Sequence, residues 1–360
     1  MYVITNREIH RGRQGLAQFG RRPNENGANE LRVAEVSKNG RSWKVRVLAD
    51  KLAASTAARL IKKHKLPLDP KAQHYASLRV ACDVIEKARR EKKHILFFVH
   101  GYNNDMKDAL TRALDFEARY GVVCITFSWP SNGGGAISGT ASYKSDKRDA
   151  RASAGALERA LMIMHKYLQI MTEANRRRLF TLACKGNENN AIRRDERYAE
   201  LLQKDCPFTV NAIYHSMGNY LLKQSLKSTI TEGNGLIFDN VVLAAADTNN
   251  QDHQHWVEKI AFRNRCFIAI NEKDFALGAS RAKAGPSQRA RLGHYLKNLT
   301  ATNAHYVNFT GVDEVGNSHG YFGGPSEKNP EIFAFFKAAF DGEAAEQQLT
   351  FNAAGNWYDF

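Results

Sequence analysis

Short apolar runs alternate with amphipathic, helix-like stretches from His94 onward. Runs of this length, bounded by polar or turn residues, are typical of strands buried on both faces. Strands that alternate with helices predict an α/β fold, with a mostly parallel, doubly wound sheet and helices on both faces. The six predicted strands are ILFFVHG, VVCITFSWP, FTVNAIYHS, VVLAAAD, RCFIAINEKD and HYVNFTGV.

The first 92 residues have a different pattern. Residues 1–50 are strand-rich and residues 52–92 are helical, so we predict an N-terminal extension, 1–92, packed on a main domain, 93–360. A long helix is predicted from Asp146 to Met171. The stretch near 172–206 then reads as a cap-like insertion before the third strand, and PEIFAFFKAAF as a helix that closes the chain.

The third predicted strand ends at a serine, Ser216, followed by Met217 and Gly218. A tight strand-to-helix turn presents a serine hydroxyl for catalysis and crowds the residues two before and two after it, which favours the pattern G-x-S-x-G. Gly218 fits, but Tyr214 replaces the first glycine. If Ser216 is a nucleophile, Tyr214 is expected beside its strand and Ser216 at positive φ. The other interpretation is an ordinary helix N-cap.

The first two predicted strands end in further candidate site residues. Gly101, after His100, lets the backbone turn close to a ligand, and the amides of Tyr102 and Met217 are candidate oxyanion donors. An ordinary capped turn at Asn104 and Asp105 is the alternative. Trp129 ends the second strand, either as a pocket wall or as core. The glycines beyond it, Gly133–Gly135, lack a phosphate-binding arrangement and read as a flexible loop.

These segments resemble bacterial α/β-hydrolases of unknown function that carry HGYN, FSWPS and HSMGN motifs. The matching stretches are HGYNN at 100–104, FSWPS at 127–131, HSMGN at 215–219 and LAAAD at 243–247, with EKDFAL and SHGYF fitting more loosely. The resemblance covers roughly residues 93–325 and implies the α/β-hydrolase fold with Ser216 as nucleophile. The family commonly has alanine where Tyr214 stands.

α/β-Hydrolases order their triad as serine, acid, histidine. After Ser216, two predicted strands end in an aspartate, Asp247 and Asp274. The acid of α/β-hydrolases commonly follows the later of these two strands, which favours Asp274 over Asp247. His319 lies in the loop after the last predicted strand. This position and the family resemblance both indicate that His319 is the base. Four other histidines fit less well: His253, His255, His294 and His305. The predicted pocket or supporting residues are His100, Gly101, Asn103, Trp129, His215, Gly218 and Asp247.

The chain has a net charge of +15, which allows an acidic substrate, anionic lipid, nucleic acid or a merely basic surface. Basic side chains gather between the predicted acid and the last strand, and in the insertion. A basic rim would attract an anionic ester, a phospholipid or an acyl carrier. Nucleic acid is disfavoured because no reader motif is present. The residues are Arg281, Lys283, Arg289, Arg291 and Lys297, then Arg176, Arg177, Arg178, Arg193, Arg194 and Arg197.

Other features limit the classes of protein. No apolar run is long enough for a membrane span, and the N-terminus has no secretory pattern. The five scattered cysteines suggest neither disulfides nor zinc, so a reduced, cytoplasmic location is expected. No cofactor or metal is predicted; a site from His100, Asp247 and His253 would need the fold to bring them together. The sequence does not predict an oligomeric state.

The sequence therefore predicts a serine hydrolase that cleaves a carboxylic ester or thioester through an acyl-enzyme. Its substrate would be a small or lipid-like ester, with an anionic one favoured if the basic rim faces the site. The alternative is a non-catalytic α/β-hydrolase-like binding module in which Tyr214 has disrupted the turn at Ser216.

Overall fold

A computed structural model describes residues 1–131, 140–188, 190–205, 208–227, 235–283 and 290–360. Eleven strands form one sheet in the order β12-β13-β11-β10-β9-β8-β6-β7-β1-β4-β5, and β2 and β3 form a separate pair. The strands are β1 Tyr2–Thr5, β2 Arg7–Ile9, β3 Phe19–Pro23, β4 Arg32–Asn39, β5 Ser42–Val47, β6 Ile95–Val99, β7 Val123–Ser128, β8 Val210–His215, β9 Phe238–Ala244, β10 Phe262–Ile270, β11 His305–Asn308, β12 Thr350–Asn352 and β13 Trp357–Asp359.

Helices connect the strands and cover the sheet. Three short 3-10 helices, at Gly15–Gln18, Leu292–His294 and Ala345–Gln348, accompany the α-helices in the described residues. The α-helices are α1 Ala54–His64, α2 Ala76–Glu91, α3 Met106–Tyr120, α4 Thr140–Ala152, α5 Ala154–Cys184, α6 Ala191–Lys204, α7 Met217–Ser225, α8 Gln254–Val257, α9 Phe275–Lys283, α10 Gly324–Lys328 and α11 Pro330–Phe340.

The sheet is parallel from β13 to β1, and only β4, β5 and β12 run antiparallel to their neighbours. One apolar core lies between the sheet and α2, α5 and α7, and a second lies between the opposite face and α3 and α11. Alternate residues of β6, such as Phe97 and Phe98, enter opposite cores, which explains its continuous apolar sequence. The predicted fold class, an α/β-hydrolase fold, is confirmed.

Both ends of the chain extend the sheet. β1 pairs in parallel with β7, so the N-terminal segment adds strands to the main sheet instead of packing on it as a separate layer. The chain also does not close with α11, because β12 and β13 follow it and add the opposite edge. These two strands have three residues each, too short for a recognisable alternation.

The predicted helix from Asp146 to Met171 is two helices that meet at Ser153. α5 begins at the carboxyl edge of the sheet, where Ser153 accepts a hydrogen bond from Asn6 at 2.9 Å. It reaches the amino edge at His165, which lies against Gly235 just before β9. Residues 172–206 therefore continue past the amino edge, where α6 packs on α5. The described part of the insertion lies at the edge opposite Ser216, and its cap-like role stays a prediction.

Candidate active site

Ser216 lies in a strained turn between β8 and α7. Its backbone has φ +54° and ψ −121°, and its hydroxyl makes no capping hydrogen bond to the helix. Residues other than glycine rarely adopt positive φ, which costs about 1–3 kcal/mol and persists only where surrounding contacts enforce it. The Asn219 side chain supplies two of these contacts by donating to the carbonyls of Tyr214 and Ser216, at 2.8 and 3.1 Å. The turn is an elbow rather than a simple helix N-cap.

Tyr214 is accommodated on the side of the sheet that faces α7. Its ring is 1% exposed and packs edge-on against Phe97, with ring centroids 6.4 Å apart. Leu222 on α7 and Phe238 on β9 belong to the same core cluster. A large residue two before Ser216 therefore fits, because its neighbours leave space below the elbow.

Two glycines allow the elbow to form. A Cβ at Gly218 would lie 2.8 Å from the Val99 carbonyl oxygen, and a Cβ at Gly101 would lie 2.6 Å from the Cβ of Ser216. The glycine after β6 thus permits contact between the HGYN turn and Ser216. The Met217 amide is the first N–H of α7, and such groups have no partner within the helix.

Replacing Gly101 with alanine is expected to damage the elbow. The new Cβ would overlap Ser216, so we expect a loss of about 1–3 kcal/mol in the free energy of unfolding and much weaker modification of Ser216 by a serine-directed label. Gly324→Ala is the matched control, because a Cβ there meets nothing within 4 Å. Urea denaturation and labelling rates would measure both effects. Equal results for the two variants would contradict the tight contact at Gly101.

Asp274 and His319 are brought together by two neighbouring loops. Asp274, at the start of α9, is 0% exposed; its Oδ1 accepts from the Leu277 amide, and its Oδ2 accepts from His319 Nδ1–H at 2.7 Å. Asn271 holds the histidine loop by donating to the Ser318 carbonyl at 3.2 Å. The carboxylate thus fixes the His319 tautomer with Nε2 left to accept a proton.

His215 links the serine strand to the histidine loop. Its Nε2–H donates to the His319 carbonyl oxygen at 3.0 Å, and the two rings lie 4.7 Å apart. Burial, together with the neighbouring His319, lowers the pKa of His215 well below its usual value. A neutral His215 therefore supports the loop that carries His319.

His100 is a buried structural histidine beneath the site. Nδ1–H donates to the Gly101 carbonyl at 2.9 Å, Nε2 accepts from the Ser128 hydroxyl at 3.1 Å, and the ring stacks on Trp129. Arg7 Nε–H donates to the same Ser128 hydroxyl at 3.0 Å. Burial and the Arg7 charge lower the pKa of His100 to about 3.

The free energy of unfolding is expected to decrease as the pH is lowered from about 6.5. Below that pH the unfolded chain binds a proton at His100, which the folded protein does not bind until about pH 3. The slope from this residue is about 1.4 kcal/mol per pH unit within that window. Urea denaturation at several pH values should show a shallower dependence in His100→Gln than in the natural protein. Parallel pH profiles would contradict a neutral His100.

Asp247 does not contact His319 but belongs to a buried ion-pair network. Its Oδ1 lies 3.0 Å from Arg291 Nε and accepts from the Ser280 hydroxyl at 2.8 Å, while Oδ2 accepts from the Tyr143 hydroxyl at 2.9 Å. Asp247 and Arg291 are 4% and 2% exposed. Gly293 allows this arrangement, since a Cβ there would lie 2.2 Å from the Ala246 amide nitrogen. The Asp247 carboxylate is thus paired with the Arg291 guanidinium.

The remaining predicted pocket residues mostly support the turn after β6. Trp129 is 0% exposed and its indole N–H donates to the His100 carbonyl at 2.9 Å, so it is core and not a pocket wall. Asn103 has φ +58°, and its amide donates to Asp146 at 3.2 Å. The Tyr102 ring packs edge-on against Tyr143, with centroids 5.5 Å apart.

Arg7 is the residue that sequence reasoning missed. It is 1% exposed and donates to Ser128, to the carbonyls of Ser131 and Asn104 at 3.0 Å each, and to that of Gly20. It therefore joins β2 to the turns after β6 and β7. No motif surrounds Arg7, and only the pairing of β1 with β7 brings it there.

Much of the predicted basic rim lies away from Ser216 or is buried. Arg291 is buried against Asp247, and the arginines of the insertion lie at the amino edge. Arg281 on α9 and Lys297 are exposed. Arg289 and the Lys283 side chain lie outside the described residues, as do Gly133–Gly135.

Within the described ranges, no group of three or more His, Cys, Asp or Glu side chains is arranged to hold a metal ion. His100, Asp247 and His253 are not brought together: each has its own partners, Tyr306 and the Asn250 carbonyl in the case of His253. A cavity of about 600 Å³ between the sheet, α2 and α5 is lined by neither Ser216 nor His319. In the portion of the chain that the structure describes, no helix has the length and apolarity of a membrane span.

Comparison with known proteins finds a family model that is similar to part of the chain. No curated protein and no solved structure matches it. A family model described as alpha/beta hydrolase of unknown function (DUF900) matches residues 79–175, a segment that contains HGYNN and FSWPS but ends before Ser216. The match agrees with the resemblance seen in the motifs, so over these residues the chain is similar to this α/β-hydrolase family of unknown function.

Proposed function

We propose that the protein is a serine hydrolase that cleaves a carboxylic ester or thioester through an acyl-enzyme, with Ser216 as nucleophile, His319 as base and Asp274 as the orienting acid. The observation that carries the proposal is the strained backbone of Ser216, φ +54°, with no capping bond from its hydroxyl. A serine that only caps a helix has no need of this conformation. The hydrogen bond between the buried Asp274 and the partly exposed His319 supports the other half of the proposed triad.

In the proposed reaction His319 Nε2 takes the Ser216 proton as Oγ attacks the substrate carbonyl carbon. The resulting oxyanion is held by the amides of Met217 and Tyr102, the first of which lies at the N-terminus of α7. His319 then protonates the leaving alcohol or thiol as its bond to the acyl carbon breaks. Water, deprotonated by His319, then attacks the acyl carbon. The bond to Ser216 Oγ breaks, and His319 returns the proton to Oγ as the acid leaves. Asp274 keeps its hydrogen bond to His319 and stabilises the imidazolium.

The substrate class follows from the nucleophile and from the charge near the acid. An activated serine suits acyl groups with an alcohol or thiol leaving group. Arg281 is exposed on the helix that begins directly after Asp274, so it is the described cation that best supports an anionic substrate. The buried Arg291 and the arginines at the amino edge give no such support.

A fluorophosphonate label tests the proposal directly. We expect covalent modification of the natural protein, with the modified peptide carrying the label on Ser216. Ser225, on the same helix with its hydroxyl bonded to the Leu222 carbonyl, should remain unlabelled and serves as the internal control. A folded protein that takes no label would instead favour a non-catalytic binding module. A series of p-nitrophenyl esters of graded chain length would then define the acyl group.

A further inference from the structure

A second cavity, of about 270 Å³, lies between α4 and α7 beside the loop that follows β9. Five cationic side chains line this basic cavity, and no acidic side chain lines it within the described part of the chain. The cations are Lys147, Arg151, Lys223, Lys227 and Arg291.

The spacing of these residues concentrates the charge. Lys147 and Arg151 are four residues apart on α4, and Lys223 and Lys227 are four apart on α7 and the turn after it. Like charges at this spacing repel each other and weaken an isolated helix. The two helices pack together, so both pairs face one space. A bound anion would reduce the repulsion between these cations.

The cations are close enough to affect one another. Burial and the Arg291 charge lower the pKa of Lys147, and burial, Lys227 and Lys147 lower that of Lys223. Asp247 and Asp252 act in the opposite direction on the two lysines. Lys147 lies 5.0 Å from the Tyr220 ring centroid. Among the described residues no carboxylate forms an ion pair with Lys147, Arg151, Lys223 or Lys227.

One wall of the cavity is rigid and polar. Arg291 is held by Asp247 and donates to Asn249 Oδ1 at 2.9 Å, so its position is fixed before any ligand arrives. Thr248, next to Asn249, is 1% exposed and its buried hydroxyl oxygen has no hydrogen-bond partner among the described residues. A buried hydroxyl without a partner is costly, and a ligand oxygen would satisfy it.

We propose that the basic cavity binds the phosphate groups of a small molecule. Converging lysines, a fixed guanidinium and a neutral hydroxyl donor suit phosphate oxygens, and the number of cations exceeds what one carboxylate would need. The cavity is too small for a nucleic-acid helix. Neither Ser216 nor His319 lines it, so this inference does not depend on the proposed hydrolase activity.

Isothermal titration with pyrophosphate and with inorganic phosphate tests the proposal on the full chain. We expect saturable binding, tighter for pyrophosphate, and at least about tenfold weaker binding in the double variant Lys147→Ala/Lys223→Ala. The double variant Lys44→Ala/Lys107→Ala removes the same charge from exposed positions elsewhere and should change the affinity by less than about twofold. Lys147→Arg/Lys223→Arg should retain binding.

Three results would overturn the proposal: no saturable binding by the natural protein, equal losses in the two alanine double variants, or citrate binding as tightly as pyrophosphate. Thermal melting of each variant would show whether it is folded. Ser216→Ala should bind pyrophosphate like the natural protein. A failure of the proposed hydrolase activity is thereby separated from a failure of this site.

Discussion

Replacing Ser216 with alanine is expected to abolish ester hydrolysis while the protein stays folded. Loss of a serine nucleophile lowers kcat by about 10⁶ where the measurement has been made in a serine protease. Here the loss should be at least about 10⁴, because the amides of the proposed oxyanion hole remain in the variant. The measurement is hydrolysis of a p-nitrophenyl ester, with circular dichroism to show that the fold is kept.

A glycine variant of the same residue separates the loss of the nucleophile, which lowers activity, from the backbone strain, which lowers stability. Ser216 has φ +54°, a conformation that glycine adopts without a steric penalty. Ser216→Gly should therefore be as inactive as Ser216→Ala but more stable than the alanine variant, by about 1 kcal/mol or more in urea denaturation. Ser225→Ala, on the same helix, should keep activity. Normal turnover by either Ser216 variant would remove this residue from the mechanism.

The strands of the central sheet were predictable because each is a short apolar run bounded by polar or turn residues. β6 and residues 241–246 are buried and continuously apolar, and these two apolar runs end sharply at His100 and Asp247. The amphipathic helices between them follow the same logic. The carboxyl ends of parallel strands share one edge, so the region of the candidate site followed from the topology before any coordinate was known.

The elements at the margins were not predictable for an equally physical reason. β1 joins the sheet only because it pairs with β7, more than a hundred residues away, and nothing in its own sequence specifies that partner. The three-residue strands β12 and β13 carry too few positions for a pattern. The start of α5 lies next to Asn6, which donates to Ser153 from 147 residues away in the sequence.

The candidate site shows the same division. Ser216 and Gly218 could be read from local crowding, which is a property of the turn itself. The roles of Asp247 and Arg7 could not, because each depends on a distant partner. In the sequence Asp247 is simply an aspartate at the end of a strand. In the folded chain Gly293 packs closely against Ala246, and the nearby Arg291 forms an ion pair with Asp247.

The second large effect is the contrast between the two aspartates. Asp274→Asn should lower hydrolysis by up to about 10⁴, because an amide at this position favours the wrong His319 tautomer. Asp247→Asn should leave most of the turnover per folded molecule intact. It should instead lower the free energy of unfolding by about 3–5 kcal/mol, since it leaves the buried Arg291 charge without its carboxylate.

Each variant thus controls for the other, because both remove one buried carboxylate from a loop at the same edge of the sheet. Activity should be measured at a low temperature, where the destabilised Asp247→Asn protein remains folded, and urea denaturation should be measured under the same conditions. If Asp247→Asn loses activity and Asp274→Asn keeps it, the acid is Asp247 and the proposed triad is wrong. If Asp247→Asn is as stable as the natural protein, the Arg291 charge is compensated without this carboxylate, which would contradict the buried ion pair described above.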